Sequence, residues 1–160
     1  MNRTRDITLT ALSAAFVTVA TMIIRIPQPL TRGYVNIGDA AVIAVAMVLG
    51  TKMGWIAGGL GSALADLLGG YVHWSPWTFL IKGVEAYVAS TSNVKAKFDW
   101  RWVAAPALMV VGYYVVEIFM YGNAAALAEI PGNVVQGVVG AVLGPLLGKA
   151  LAGSLGGMQR

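Results

Sequence analysis

Six apolar stretches alternate with short polar segments along the chain. Apolar runs of this kind, with few charges, are typical of helices that cross a bilayer. The second stretch is short: its 11 residues span about 17 Å at 1.5 Å per residue, less than the hydrocarbon core of roughly 30 Å. The pattern therefore predicts six membrane helices, over residues 7–26, 39–49, 54–68, 76–91, 102–121 and 133–151.

The intervening segments are predicted to be loops. Residues 27–38 are polar and contain proline and glycine, which do not continue a helix. Residues 92–101 form a basic polar loop, and residues 122–132, which include Pro131, are expected to form another.

Composition supports a membrane protein. The 160 residues are 58% hydrophobic and 11% charged, with a mean hydropathy of +0.71, whereas soluble domains carry about 25% charged residues. We predict an all-α integral membrane protein with a single domain over residues 1–160. Cysteine is absent, which excludes disulfide and thiolate chemistry.

Basic residues predict the orientation. With the N-terminus in the cytoplasm, the outer side holds only Arg25 and Arg32, and the inner side holds Arg3, Arg5, Lys52, Lys95, Lys97, Arg101, Lys149 and Arg160. This positive-inside bias places both termini on the cytoplasmic side of the membrane. The net charge of +4 lies in short loops, so it indicates topology and not nucleic-acid binding.

In this topology the strongly polar residues of the predicted helices share one depth. All of them fall in the outer half of the membrane, namely Asp39, Asp66, Lys82, Glu85, Glu117, Asn133 and Gln136. A water channel or proton relay needs polar groups along its whole length. The asymmetry instead predicts an outward-facing ligand pocket with a closed floor.

Charged residues in this half allow two interpretations. Lys82 and Glu85 lie three residues apart, so they share a helix face. Asp66 could pair with Lys82 and only fix the packing, or both could bind a ligand. The embedded acids outnumber the one embedded lysine, so the excess requires a proton, a partner or a polar ligand.

Aromatic residues also allow two interpretations. Trp74 and Trp77 could belong to the interfacial aromatic belt or form a stacking lid over a flat ring. Tyr113, Glu117 and Tyr121 recur every four residues and so share a face of the fifth helix. His73 is the only histidine, and no metal site is predicted around it.

Small residues at helical spacing predict close helix packing. One stripe, of Gly54, Gly58 and Ser62, follows the third helix. Another pair, Ala11 and Ala15, lies on the first helix, and a glycine stripe at 140, 144 and 148 lies on the sixth. These last two could pack internally or contact another membrane protein. No Walker A motif is present, so ATP hydrolysis would require another polypeptide.

Several stretches resemble one known family over nearly the whole chain: ALSAAFVTV, GYVNIGDAAV, GGLGSALADLLGGY, HWSPWTFLIKGVEAYV and GNVVQGVVGAVLG. They are similar to the substrate-binding S components of energy-coupling factor (ECF) vitamin transporters, which are ABC-type transporter complexes. The block from DLLGGY to PWTFLIKGVEAY most resembles the riboflavin-type superfamily, which includes presumed carriers of hydroxymethylpyrimidine or pyridoxine.

The resemblance implies a non-enzymatic subunit that binds a vitamin or precursor near the outer face. The subunit would dock, through Ala11 and Ala15, on a transmembrane coupling protein (T component) with two cytoplasmic ATPases. It would itself bind no cofactor. The first loop would gate the pocket, and the implied substrate-binding residues are Asn36, Trp74, Trp77, Lys82, Glu85, Tyr113, Glu117, Asn133 and Gln136.

The acidic pocket favours a small neutral or weakly basic aromatic ring. Riboflavin, pantothenate or thiamine is the alternative cargo. Two other classes of protein stand as competing hypotheses: an intramembrane enzyme using Glu85, Lys82 and His73, and a structural or channel-forming oligomer.

Overall fold

The computed structural model describes the backbone of residues 3–157 and the side chains of residues 3–154. Arg160, which we assigned to the cytoplasmic side, lies outside the described residues. Within them the chain forms six helices and one two-stranded sheet, in the order α1 (Arg3–Ile23), β1 (Arg25–Gln28), β2 (Gly33–Asn36), α2 (Asp39–Leu49), α3 (Thr51–Gly69), α4 (Ser75–Ser90), α5 (Arg101–Tyr121) and α6 (Asn123–Gly157).

The predicted all-α membrane fold is confirmed. Helices α1, α5 and α6 are long and apolar enough to cross a membrane, whereas α2 is a shorter apolar helix. Five of the six predicted helices begin and end within a few residues of those observed. The sixth helix, α6, is much longer than the predicted range of residues 133–151.

Helix α2 lies at the centre of the bundle. Residues 39–47 are all buried, and the helix contacts α1, α3, α4 and α6. A helix that is apolar on all sides is stable only when other helices cover it. It ends at Gly50, whose φ of 74° turns the chain directly into α3. Its short length is therefore compatible with a membrane fold, because neighbouring helices surround it.

Glycine lets α3 pack closely against α2 and α4. A Cβ atom built on Gly54 would lie 2.8 Å from the Ala46 Cα, and one built on Gly58 would lie 2.7 Å from the Ala86 Cβ. These distances are too short for any larger side chain. The predicted close packing of this stripe is confirmed.

The glycine stripe of α6 packs inside the bundle as well. The sequence had allowed either this or a contact with another membrane protein. A Cβ atom would lie 2.7 Å from the Asp39 Cβ if built on Gly140, and 2.7 Å from the Ile43 Cβ if built on Gly144. Helix α6 therefore approaches the backbone of α2 over two turns. This contact brings the polar first half of α6 next to the start of α2.

Two of the predicted loops differ from the structure. Residues 27–38 contain most of an antiparallel hairpin, in which Arg25 pairs with Asn36 and Gln28 pairs with Gly33. The prediction of a loop over residues 122–132 is wrong, because only Gly122, with φ of 86°, separates α5 from α6. The alanine-rich segment after it favours a helix, and membrane helices tolerate an internal proline such as Pro131.

We expect Gly144→Ala to lower the thermal stability of the purified protein. The added methyl group meets Ile43, and overpacking of this kind costs about 1–3 kcal/mol. Gly153→Ala is the matched control, since nothing lies within 4 Å of its Cβ position and alanine favours the helix. Thermal unfolding in detergent measures both. Equal midpoints for the two variants would contradict the packing of α6 on α2.

Candidate functional site

A cavity of about 30 Å³ lies under the hairpin, at the end of the bundle that the basic residues predict to face outward. The hairpin and helices α1, α3, α4, α5 and α6 contribute its walls. Its lining is mostly polar and comprises Thr21, Gln28, Thr31, Gly33, Tyr34, Asn36, Ser62, Asp66, Trp74, Thr78, Lys82, Tyr113, Glu117, Glu129, Asn133 and Gln136.

The floor of this cavity is Lys82, which lines it, backed by two buried carboxylates, Asp39 and Glu85, which do not. The Nζ of Lys82 donates to the Oδ1 of Asp39 and, at 3.0 Å, to the Oε2 of Glu85. None of the three side chains is more than 2% exposed. Lys82 therefore pairs with Asp39 and not with Asp66, because α2 places Asp39 at the centre of the bundle. The predicted shared face of Lys82 and Glu85 is confirmed.

Asp39 also connects the floor to α6 and to the hairpin. The Nε2 of Gln136 donates to the Asp39 Oδ1 at 3.1 Å. The Oε1 of Gln136 accepts from the backbone N–H of Asn36 at 2.8 Å. A single amide side chain thus fixes the end of β2 against the ion-paired floor.

Two further hydrogen bonds hold the hairpin over the cavity. The hydroxyl of Tyr34 donates to the Oδ1 of Asp66 at 2.6 Å, and the Nε1 of Trp74 donates to the carbonyl oxygen of Thr31 at 3.1 Å. Burial raises the pKa of Tyr34 well above its usual range, and the neighbouring Asp66 carboxylate raises it further. Tyr34 is therefore a persistent donor in this bond.

An aromatic wall stands beside the cavity. The ring centroid of Trp74 lies 5.8 Å from that of Tyr113 and 5.9 Å from that of Tyr121. The Tyr113 hydroxyl donates to the Thr78 hydroxyl at 3.2 Å. Glu117 lies one turn from each tyrosine on α5, and its side chain is buried in the cavity wall.

Four residues of the lining carry buried polar atoms that have no hydrogen-bond partner in the described structure. These atoms are the hydroxyl oxygens of Thr21 and Ser62, the Oδ2 of Asp66 and the Oε2 of Glu117. Buried polar atoms in proteins are normally paired. The cavity therefore offers unused hydrogen-bonding groups to a small polar ligand.

The structure places most of the predicted site residues together. Seven of them line the cavity: Asn36, Trp74, Lys82, Tyr113, Glu117, Asn133 and Gln136. Glu85 does not line it, because it lies fully buried behind Lys82. Trp77 does not line it either: it is 42% exposed, whereas Trp74 and Thr78 are buried. This exposure favours the interfacial-belt interpretation for Trp77, which stays a prediction.

Sequence reasoning missed several residues of the lining, above all Tyr34 and Glu129. Tyr34 lies in the hairpin, which we predicted only as a loop. Glu129 lies in the segment wrongly predicted as a loop. Its spacing to Asn133 and Gln136, four and seven residues, is that of one helix face and is the signal that could have identified it.

Ala11 and Ala15 are exposed on α1, whereas Ala14 and Val17 on the same helix are buried against α3. In the described part of the chain, no group of three or more His, Cys, Asp or Glu residues is arranged to hold a metal ion.

Comparisons with known proteins point to one family. A family model described as "ECF-type riboflavin transporter, S component" matches residues 1–153. An uncharacterised protein in a gap 3′ region of Pyrococcus woesei is 40% identical, over 78% of this chain and 86% of its own length. The thiamine precursor transporter HmpT of Lactococcus lactis is 28% identical, over 85% of this chain and 81% of its own length.

We expect Lys82→Met to destabilise the protein strongly. Removing one partner of a buried ion pair leaves uncompensated charge and costs about 3–5 kcal/mol. The control is Lys95→Met, which removes an exposed loop lysine. Thermal unfolding of the two purified variants compares them. An unchanged midpoint for Lys82→Met would contradict the structural role of the floor.

Proposed function

This chain belongs to the ECF-type riboflavin transporter S component family, and we propose that it is the high-affinity membrane subunit that binds hydroxymethylpyrimidine for ATP-driven uptake. Pyridoxine is the second candidate cargo. The family is a non-enzymatic transporter class, and the chain is a multi-pass protein of the cell membrane. An S component works with a T component and ATPases.

The observation that carries this proposal is the set of unpartnered polar atoms around one cavity beside an aromatic wall. A few polar groups at fixed positions, next to aromatic surface, are typical of sites for small ring compounds. The ion-paired floor separates this cavity from the inner half of the bundle, where α2 is apolar. These features support a binding subunit and disfavour a channel.

The chemistry of the lining supports a small nitrogen ring as the ligand. Carboxylates and amides from Asp66, Glu117, Asn133 and Gln136 complement ring nitrogens, amino groups and hydroxymethyl groups. The name of the Lactococcus relative, a thiamine precursor transporter, supports the same choice. Riboflavin, the vitamin in the family's description, has three fused rings and a longer side chain, so it requires a much larger rearrangement of a cavity of about 30 Å³.

In this proposal the hairpin gates the site. Ligand sites usually measure about 300–1,000 Å³, so the cavity corresponds to a closed gate. Ligand binding requires β1 and β2 to move away from Asp66, Trp74 and Gln136, to which the hairpin is hydrogen-bonded.

We further propose that α1 docks on the T component, which works with two cytoplasmic ATPases that hydrolyse ATP. Ala11 lines a groove of about 860 Å³ at the predicted cytoplasmic end, between α1 and the start of α3. Ala15 is exposed one turn further along. Small exposed residues at this spacing let another helix approach closely. The chain itself binds no cofactor in this scheme.

Mass spectrometry of small molecules released from the denatured, purified protein tests the cargo. We expect a stoichiometric pyrimidine in wild-type protein and a loss of affinity of roughly tenfold or more in Glu117→Ala, because a charge-assisted hydrogen bond is lost. Calorimetry measures that affinity, with Asp99→Ala in the cytoplasmic loop as control. A bound flavin, or a protein that stays folded but binds no vitamin of a panel, would contradict the proposed cargo.

We expect Ala15→Trp to leave ligand binding intact and to reduce uptake roughly tenfold or more, because a large side chain prevents close approach of another helix. Val111→Trp is the control, since Val111 is also exposed but lies on α5. Uptake of labelled ligand by cells that carry the coupling module measures the effect. Normal uptake by the Ala15→Trp variant would show that the docking surface lies elsewhere.

A further inference from the structure

Two carboxyl groups face the same cavity from neighbouring helices. Glu117 on α5 is 4% exposed and Glu129 on α6 is 3% exposed, and both line the cavity. Helices α5 and α6 pack against each other, so the two acids line adjoining walls of the cavity. Asn133 lies one turn from Glu129 on α6 and completes this side of the cavity.

No cation of the described residues balances these two acids. The salt bridges in that part of the chain involve Asp39, Glu85 and Asp99, and none involves Glu117 or Glu129. Lys82 is the only basic residue in the lining, and it is already paired with two carboxylates in the floor. An isolated buried carboxylate is costly in free energy, so this side of the cavity favours a proton or a positively polarised ligand group.

The buried polar atoms without a hydrogen-bond partner also favour a ligand that supplies donors. The Oε2 of Glu117 is buried and has no hydrogen-bond partner in the described structure. The hydroxyl oxygens of Thr21 and Ser62, in other parts of the lining, are also buried and without a partner. An ionised carboxylate accepts hydrogen bonds and cannot donate them. A ligand that satisfies this wall must therefore present donors to it.

We propose that Glu117 and Glu129 form a two-carboxylate clamp that selects rings bearing an amino group next to a ring nitrogen, and that Glu129 determines this specificity. This inference rests on the function proposed above and narrows the substrate class to aminopyrimidine-like rings. When the ring nitrogen is protonated, it and the neighbouring amino group match one carboxylate through two parallel N–H···O hydrogen bonds, while the second carboxylate accepts the other N–H of the amino group. A ring with a carbonyl or hydroxyl group at that position offers fewer donors to the clamp.

The test compares two probes that differ in the group next to the ring nitrogen. They are 4-amino-5-hydroxymethyl-2-methylpyrimidine and its analogue with a 4-hydroxyl group in place of the amino group. Calorimetry on the purified full-length protein compares wild type, Glu129→Gln and Glu117→Gln. Asp6→Asn is the matched control, because it removes an acid of α1 that does not line the cavity.

We expect wild type and Asp6→Asn to bind the amino probe roughly tenfold or more tightly than the hydroxyl probe, as expected for a charge-assisted hydrogen bond. Glu129→Gln should lose most of this preference, while its affinity for the hydroxyl probe changes little. If Glu129→Gln proves too unstable for calorimetry, the same loss of preference in Glu117→Gln supports the clamp and its retention overturns it.

Three results would overturn the clamp. The first is an undiminished amino preference in Glu129→Gln. The second is an equal fall in affinity for both probes, which indicates that Glu129 only supports the fold. The third is wild-type protein that binds both probes equally. This result overturns the clamp but is compatible with the proposed function, the binding of a pyrimidine. Wild-type protein that binds neither probe contradicts the proposed function itself, and the clamp with it.

Discussion

The ammonium group of Lys82 lies between the carboxylates of Asp39 and Glu85, next to a core of apolar side chains. Charges at this depth are tolerated only when they are paired, so helices α2 and α4 cannot slide independently, and the hydrogen bond from Gln136 to Asp39 attaches α6 to them. Gln136 extends the constraint from Asp39 to the backbone of Asn36. The position of the hairpin therefore depends on an ion pair in the floor beneath it.

Close packing of glycine makes this arrangement possible. Helix α2 has only 11 residues and reaches its charged partners because Gly54 on α3 and Gly140 on α6 leave room for it. A larger side chain at either position would push α2 away and separate Asp39 from Gln136. The same packing closes the bundle below the floor. A ligand held above the floor can pass to the cytoplasm only if the whole subunit reorients or its helices rearrange. In the proposed function, that rearrangement depends on ATP hydrolysis by the partner subunits.

Local sequence patterns predicted the helices well, because long apolar runs indicate membrane spans regardless of the neighbouring helices. The pairing of Lys82 with Glu85 followed from their spacing. The pairing of Lys82 with Asp39 did not, since 43 residues separate them and only the tertiary fold brings them together. The hairpin was missed because four-residue strands carry a weak local signal. Glu129 was missed because residues 122–132, which include Pro131, were predicted to be a loop, whereas α6 begins at Asn123 and continues through the proline.

The hairpin is attached to the helices by three hydrogen bonds from Tyr34, Trp74 and the backbone N–H of Asn36. Each contributes a net ~0.5–1.5 kcal/mol, so breaking all three costs about 1.5–4.5 kcal/mol. An open state a few kcal/mol above the closed one is populated at about 0.1–10%. In the proposed function the gate can therefore open to admit a ligand without a partner protein. Once the hairpin has closed again, release requires both the ligand contacts and the three hydrogen bonds to break, so dissociation is much slower than opening of the empty gate.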